Sequence, residues 1–303
     1  MESHATVALP ASWVDARDFD SALTLANDPL VTLPEKVTVA VPAGCKVMVD
    51  AALKILCFAH QLRDRGASVA IKFEDGHDGA MGYLNRIGFF DMLDSAVEIL
   101  PDRPVVSGAV VYRGMNDNLV EIAALRSVAR DKDLPARLSD ALKNSVASGK
   151  AAAKLGRAAF TVFAELIQNV YLHSGSALDG YATLQVYKGG KKAKVVVSDN
   201  GVGIIETLRP TLPAKYGKMS DSAVVFEAFQ KGLSRHGPGR GCGLKASADH
   251  AIKYQAELDV RLPKCRVHLV PSASGYQPHV AFCSDSLPLL HGTHICFDFM
   301  FDK

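Results

Sequence analysis

Apolar positions in this chain follow two periods, and the switches between them mark its elements. Residues 1–34 show neither period and are punctuated by Pro10, Pro29 and Pro34, so they read as an N-terminal extension. From Lys36 the pattern sharpens. Val37 to Val41 alternates as a strand does and stops at Pro42 and Gly44. Leu53, Leu56, Cys57 and Ala59 recur at helical spacing within Met48 to Arg65, with Gly66 as the stop. Ser68 to Phe73 predicts a second strand and Asp78 to Ile87 a second helix. This succession predicts a small α/β domain over 35–105. Val105 to Tyr112 and Leu119 to Leu125 read as further strands. The polar stretch Arg130 to Lys150, with Leu134, Leu138, Ala141 and Leu142 at helical spacing, reads as a connector helix. A connector over 106–150 follows, with the domain boundary between 101 and 135.

The second half, 151–303, carries the clearest pattern. Leu155, Ala159, Val162, Phe163, Leu166, Ile167 and Val170 put a wide apolar face on a helix over Ala151 to His173. Ala182 to Tyr187 and Lys194 to Asp199 flank Gly189-Gly190 and read as a hairpin. A long irregular stretch, Leu208 to Pro238, holds one short helix near Ala223 to Lys231. Leu244 to Tyr254 is helical. Glu257 to Leu262, Cys265 to Val270, His279 to Cys283 and Thr293 to Phe299 read as strands. The fold class is α+β, with helices layered on a largely antiparallel sheet.

Composition removes several function classes. The 303 residues are 48% hydrophobic and 22% charged with net charge +2, ordinary for a soluble globular protein and without the basic surface that nucleic acid or an anionic membrane selects. Cys45, Cys57, Cys242, Cys265, Cys283 and Cys296 include no C-x-x-C pair, which speaks against a zinc site or a disulfide framework. No secretory signal or bilayer-length apolar run is evident, so a cytoplasmic location is expected.

Three stretches carry chemistry. On the 151–173 helix, Thr161, Glu165, Asn169 and His173 recur every four residues along one stripe, with no Lys or Arg between Ala158 and Tyr171. A solvated stripe is one reading. An Asn carbonyl one turn after a Glu also suits magnesium, with Glu165 placed to polarise a water or hydroxyl. Asp199-Asn-Gly201-Val-Gly203 ends a strand in a glycine turn: an Asn-Gly turn in the plain reading, a carboxylate offered to an exocyclic amine in the other. Gly239-Arg240-Gly241-Cys242-Gly243-Leu244-Lys245 opens a helix, where free N–H groups can face phosphate oxygens. A dinucleotide fingerprint is excluded because no strand precedes these glycines, and a Walker A loop because Gly-Lys-Ser/Thr is missing.

As a set, Glu165-x-x-x-Asn169, Asp199-x-Gly201-x-Gly203 and Gly239-x-Gly241-x-Gly243-Leu244 resemble the N, G1 and G2 boxes of the GHKL, or Bergerat-fold, ATPases. His291-Gly292-Thr293-His294 resembles that group's closing Gly-Thr. The resemblance implies a two-layer α/β sandwich with ATP and magnesium as cofactors. Asn169 would hold the metal and Asp199 would read the adenine amine. Gly201 and Gly203 would shape the adenine pocket, with Thr293 in support through water. Gly239, Gly241, Gly243 and Leu244 would sit at the phosphate end of a lid over about Ile205 to Pro238. Arg240, Lys245 and His173 are further candidates for nucleotide contact. Glu165 is the general base by the same resemblance, nearest to the anti-sigma-factor serine kinases.

Val37 to Leu93 resembles a divergent STAS-type domain, with Asp50-Ala51 where phosphorylated members carry Asp-Ser. Self-phosphorylation there is not expected, and the domain reads as a docking or regulatory module. Together these readings predict a nucleotide-controlled regulator of a protein partner, with slow hydrolysis or serine/threonine transfer; the sequence also allows a homodimer. A non-catalytic nucleotide sensor is the alternative. A histidine kinase using His60, in Phe58-Ala-His60-Gln-Leu-Arg-Asp64, is a third, disfavoured because a strand follows where a second long helix is needed. Cys242 reads as a small spacer, and His291 with His294 as no metal pair.

Overall fold

The computed structural model describes residues 3–145, 150–233 and 243–301. The chain divides into two compact units, 1–116 with 121–123 and 288–290, and 117–120 with 124–287 and 291–303. No helix among the described residues is long and apolar enough to cross a membrane.

In the first unit, β1 (His4–Ala8), β3 (Lys36–Val41), β5 (Ser68–Phe73) and β6 (Glu98–Leu100) form an all-parallel sheet in the order β1-β3-β5-β6. A second, two-stranded parallel sheet joins β2 (Trp13–Val14) to β4 (Lys46–Val47). The helices are α1 (Ala16–Leu25), α2 (Pro29–Thr32), α3 (Val49–Asp64), α4 (Gly79–Arg86), α5 (Phe89–Met92) and α6 (Gly108–Val111). Along β3 the alternate residues Val37, Val39 and Val41 are buried, as the pattern predicts.

Residues 1–34 are not an extension. They supply a sheet strand and a capped helix. Asp15 accepts from the N–H groups of Arg17 and Asp18 while Asp18 accepts from the Asp15 N–H, a capping box that starts α1. Phe19, Ala22 and Leu23 then bury one face of α1. The Lys54 ammonium of α3 donates to Asp20 at 2.9 Å and to the Ala16 carbonyl at 3.2 Å, inside a site almost closed to solvent. A buried ammonium is costly unless paired, so this pair fixes where α1 sits on α3. Ala51, one residue after Asp50, is fully buried, and Asp50 accepts from the Ala16 N–H at 3.3 Å.

The strand expected over Val105 to Tyr112 is instead a loop and the short α6. Gly108 lies so close to α4 that a Cβ there would stand 3.3 Å from the Arg86 backbone, and Asn85 binds both the Gly108 N–H and the Val106 carbonyl. Local capture by α4 overrides the β-branched composition.

In the second unit, β7 (Leu119–Leu125), β8 (Gly180–Tyr187), β9 (Lys192–Ser198), β10 (Glu257–Arg261), β11 (Arg266–Ser272), β12 (Gly275–Pro278) and β13 (His294–Met300) form a seven-stranded sheet. Its order is β12-β11-β10-β13-β9-β8-β7, with antiparallel pairing from β12 to β8. The helices are α7 (Leu134–Ser145), α8 (Lys150–His173), α9 (Ile204–Leu208), α10 (Asp221–Lys231) and α11 (Gly243–Ile252). Helices layered on this antiparallel sheet give the α+β class read from the sequence. β8 and β9 form the predicted hairpin, turned by Lys188–Gly190 with Lys191 in the left-handed region.

Three expectations change. The connector helix α7 packs on α8 through the buried Leu134, Leu138 and Leu142, so it belongs to the helical layer. The strand expected at His279 to Cys283 is a tight 3₁₀ turn, Val280–Phe282, in which the His279 ring stacks on Phe282 at 4.5 Å; β12 lies just before it. Leu208 to Gly232 is more ordered than its composition suggests. Ser220 caps α10 by accepting from the Ala223 N–H, and the Arg209 guanidinium binds the Tyr216 and Met219 carbonyls and the Asp221 carboxylate.

Candidate functional site

The apolar face of α8 packs inward through Leu155, Ala159, Val162, Phe163, Leu166, Ile167 and Val170, all buried. That orientation turns Glu165 and Asn169, one turn apart, to the edge of a cavity of about 320 Å³. The sheet supplies the floor: Val197 and Asp199 from β9 and its end, Thr293 and Ile295 from β13 and its start. Gly203 with Ile204, Thr207 and Leu208 of α9, Leu233, and Leu244 of α11 complete the walls.

Asp199 is the electrostatic centre of this cavity. Its carboxylate is almost wholly buried, and burial pushes its pKa up from the ordinary 3.8 to about 6. Hydrogen bonds pull the other way: the Gly201 N–H donates to Oδ1 at 2.7 Å, and Thr293 donates from both its backbone N–H and its hydroxyl. The Thr293 hydroxyl oxygen also accepts from the Ile204 N–H at 3.2 Å, linking α9 to the carboxylate. Sequence resemblance implied support through water; here Thr293 contacts Asp199 directly. A buried acceptor held by three donors at the end of an apolar cavity suits a ligand that brings a donor of its own.

The glycines have separate tasks. A Cβ on Gly201 would lie 1.9 Å from the Ser174 carbonyl oxygen, so this residue lets the turn after β9 pass against the end of α8. It does not line the cavity. Gly203, at φ +85°, does line it and approaches Pro263. Gly243 opens α11 against α8, where a Cβ would fall 1.7 Å from Glu165 Oε1 and 2.1 Å from its Cδ. The second and third motifs thus meet the first in space. Gly239, Arg240, Gly241 and Cys242 lie outside the described residues, as does the end of the expected lid.

Of the other candidates, Lys245, Thr161, His60 and His294 are not among the residues that line the cavity. His173 ends α8, and its side chain is outside the described set. Lys245 is engaged by Asp249 at 2.7 Å along α11. Thr161 is exposed and donates back to the Arg157 carbonyl, the plain solvated-helix role. His60 of the first unit accepts the Asp94 N–H at 3.0 Å, holding the turn before β6. His294 Nε2 lies 3.1 Å from the His291 carbonyl oxygen, and no three His, Cys, Asp or Glu side chains gather into a metal cluster among the described residues.

Reading from sequence missed Val197, Ile295, Gln168, Leu172, Ile204, Thr207, Leu208 and Leu233 as lining residues. Two had a usable signal: Val197 lies two before Asp199 and Ile295 two after Thr293, the spacing that puts strand residues on one face. Leu233 and the α9 residues come from the irregular stretch, whose path has no periodic signature.

Residues 155–299 match the family model described as Histidine kinase-, DNA gyrase B-, and HSP90-like ATPase. No curated protein and no solved structure matches. The matched stretch runs from α8 to β13 and includes the whole cavity described above. Over residues 155–299 the second unit is therefore similar to the histidine kinase-, DNA gyrase B- and HSP90-like ATPases.

Proposed function

We propose that this protein is a cytoplasmic regulator in which ATP with magnesium, bound in the second unit, controls a protein partner. The observation that carries the reading is Asp199: a buried carboxylate, held by Gly201 and Thr293, at the end of an apolar cavity. Such an acceptor suits the exocyclic amine of adenine, while Val197, Ile204, Leu208 and Ile295 suit its ring. The Asn169 side-chain oxygen would hold magnesium. With no carboxylate cluster present among the described residues, the remaining positions on the ion fall to water and the nucleotide's own phosphates.

Bound ATP supplies a transferable γ-phosphoryl group. Glu165, which lines the cavity, would take a proton from an attacking water or a partner's hydroxyl. Gly243 supports that role, because the bare Cα lets the start of α11 close against the Glu165 side chain. A nucleotide-linked change in the position of the lid expected from the sequence is the means by which occupancy would reach a partner. The first unit, with its buried Ala51, serves as a docking or regulatory module on this reading.

The test uses γ-labelled ATP and magnesium with the full chain, alone and with cell extract. The expected result is free phosphate or labelled partner protein, lost in Glu165→Gln while ATP binding persists. Undiminished product from Glu165→Gln would remove the catalytic part. Binding without turnover in the wild type would establish the nucleotide-sensing alternative. Acid-labile label on the chain itself, absent in His60→Ala, would replace both with the histidine-kinase reading.

A further inference from the structure

The first unit displays an apolar surface that the nucleotide reading leaves unused. Between Val105 and Met115, six apolar side chains face solvent: Val105, 96% exposed, Val106, Val110, Val111, Tyr112 and Met115, 75% exposed. Scattered exposed hydrophobes are ordinary, but six within eleven residues are not.

This segment is also built to hold that display. Asn85 grips it on both sides, donating to the Val106 carbonyl at 3.0 Å and accepting from the Gly108 N–H at 3.1 Å. The Ser107 hydroxyl donates to Asp91 at 2.6 Å and accepts the Val110 N–H, starting α6. The Arg86 guanidinium donates to the Tyr112 carbonyl at 3.0 Å and lies 5.9 Å from the centre of the Tyr112 ring. Ala109 is the inward anchor, 2% exposed, against Gly88, where a Cβ would stand 3.2 Å from the Ala109 Cβ. Polar groups of α4 and α5 thus fix the backbone while the valines point out. An ordered surface loses little conformational freedom on docking.

We infer that this segment is the contact surface of a homodimer, with the 105–115 segment of a second copy packed on it about a twofold axis. Area supports this occupant. The six side chains expose roughly 600 Å² per chain, so a symmetric pair buries about 1,200 Å², at the lower end of stable specific interfaces. Charge supports it too. Exposed Arg113 within the segment and Asp102 just before it, whose carboxylate touches His77 at 3.1 Å but stays 65% exposed, carry opposite signs, so a twofold partner can pair each with the other. A rim of one sign would repel its own copy. Valine, tyrosine and methionine give the dry centre, and the two charges set the register.

The test is sedimentation velocity on the full chain up to about 100 μM, with ATP affinity measured on the same samples. The wild type is expected at the mass of two chains. Val110→Asp with Met115→Asp should run as one chain, with dimer affinity reduced at least a hundredfold and ATP affinity unchanged. Val105→Lys provides a second variant at a side chain too exposed to matter for folding, and should weaken the dimer at least tenfold. Leu25→Asp, an exposed position elsewhere on this unit, should leave it intact. A wild type that stays a single chain overturns the inference, including one that instead sediments with anionic phospholipid vesicles. So does a dimer indifferent to Val105→Lys and to the double substitution. Loss of ATP binding in the wild type would sink the proposed function and leave this inference standing.

Discussion

Gly292→Ala is the sharpest steric test of how the site is assembled. Gly292 sits at φ +104°, and a Cβ there would lie 1.9 Å from the Asp199 carbonyl oxygen, 2.7 Å from the carbonyl carbon and 3.1 Å from Oδ1. Ordinary contact begins at about 3.4 Å, so the two strand ends must separate by about 1.5 Å. Backbone, not a flexible side chain, has to move. The positive φ adds about 1–2 kcal/mol for an L-residue, and overpacking a filled site typically adds about 1–3 kcal/mol. Destabilisation of about 3–4 kcal/mol is expected, a large share of a domain's usual stability of about 5–15 kcal/mol. For a unit of this size the melting midpoint should fall by roughly 10 °C. The same separation disturbs the Asp199 N–H to Thr293 carbonyl bond, now 3.0 Å, and moves the carboxylate. ATP affinity should therefore drop at least tenfold. Differential scanning calorimetry and titration calorimetry read the two effects. Gly189→Ala is the control, since a Cβ there meets nothing within 4 Å. Wild-type melting and affinity in Gly292→Ala would refute the close approach on which this account of Asp199 rests.

Two further outcomes follow from the same geometry. Because burial raises the Asp199 pKa to about 6, the native state holds that proton more tightly than the unfolded chain. Its contribution to stability is fully present below about pH 4 and is lost as pH rises through 6, amounting to about 3 kcal/mol. Comparing unfolding midpoints of wild type and Asp199→Asn from pH 4 to 7 should show this component only in the wild type, and wild-type ATP affinity should fall below pH 6 as the acceptor gains a proton. In Gly243→Ala the new Cβ must evict the Glu165 carboxylate from its place; single-turnover assays should show phosphate release reduced at least tenfold while fluorescent-nucleotide binding changes little.

What was legible in the sequence was periodic or chemically marked. The apolar face of α8 was plain because seven buried residues recur at helical spacing, and Glu165 and Asn169 stood out as polar residues beside that face. β8, β9 and β13 announced themselves by β-branched and aromatic runs. The N-terminal strand did not, because β1 buries chiefly Val7 and gains its place from parallel pairing with β3, whose paired residues lie 32 positions further along the chain. Val105 to Tyr112 misled because β-branched composition describes surfaces that pack, and here those side chains remain in solvent. Within the site, Asp199 and Thr293 could be named from their motifs. The direct bond between them could not, since it depends on β9 and β13 lying side by side. The reason for Gly201 was hidden likewise: its neighbour is the Ser174 carbonyl, brought there by the end of α8.

Isothermal titration of ATP with magnesium into the wild type and Asp199→Asn, at pH 7.5 and with folding checked by circular dichroism, tests the central claim most directly. One nucleotide per wild-type chain, with affinity reduced at least a hundredfold in folded Asp199→Asn, is the result this account requires. No binding to the wild type, or equal binding to both proteins, would contradict it.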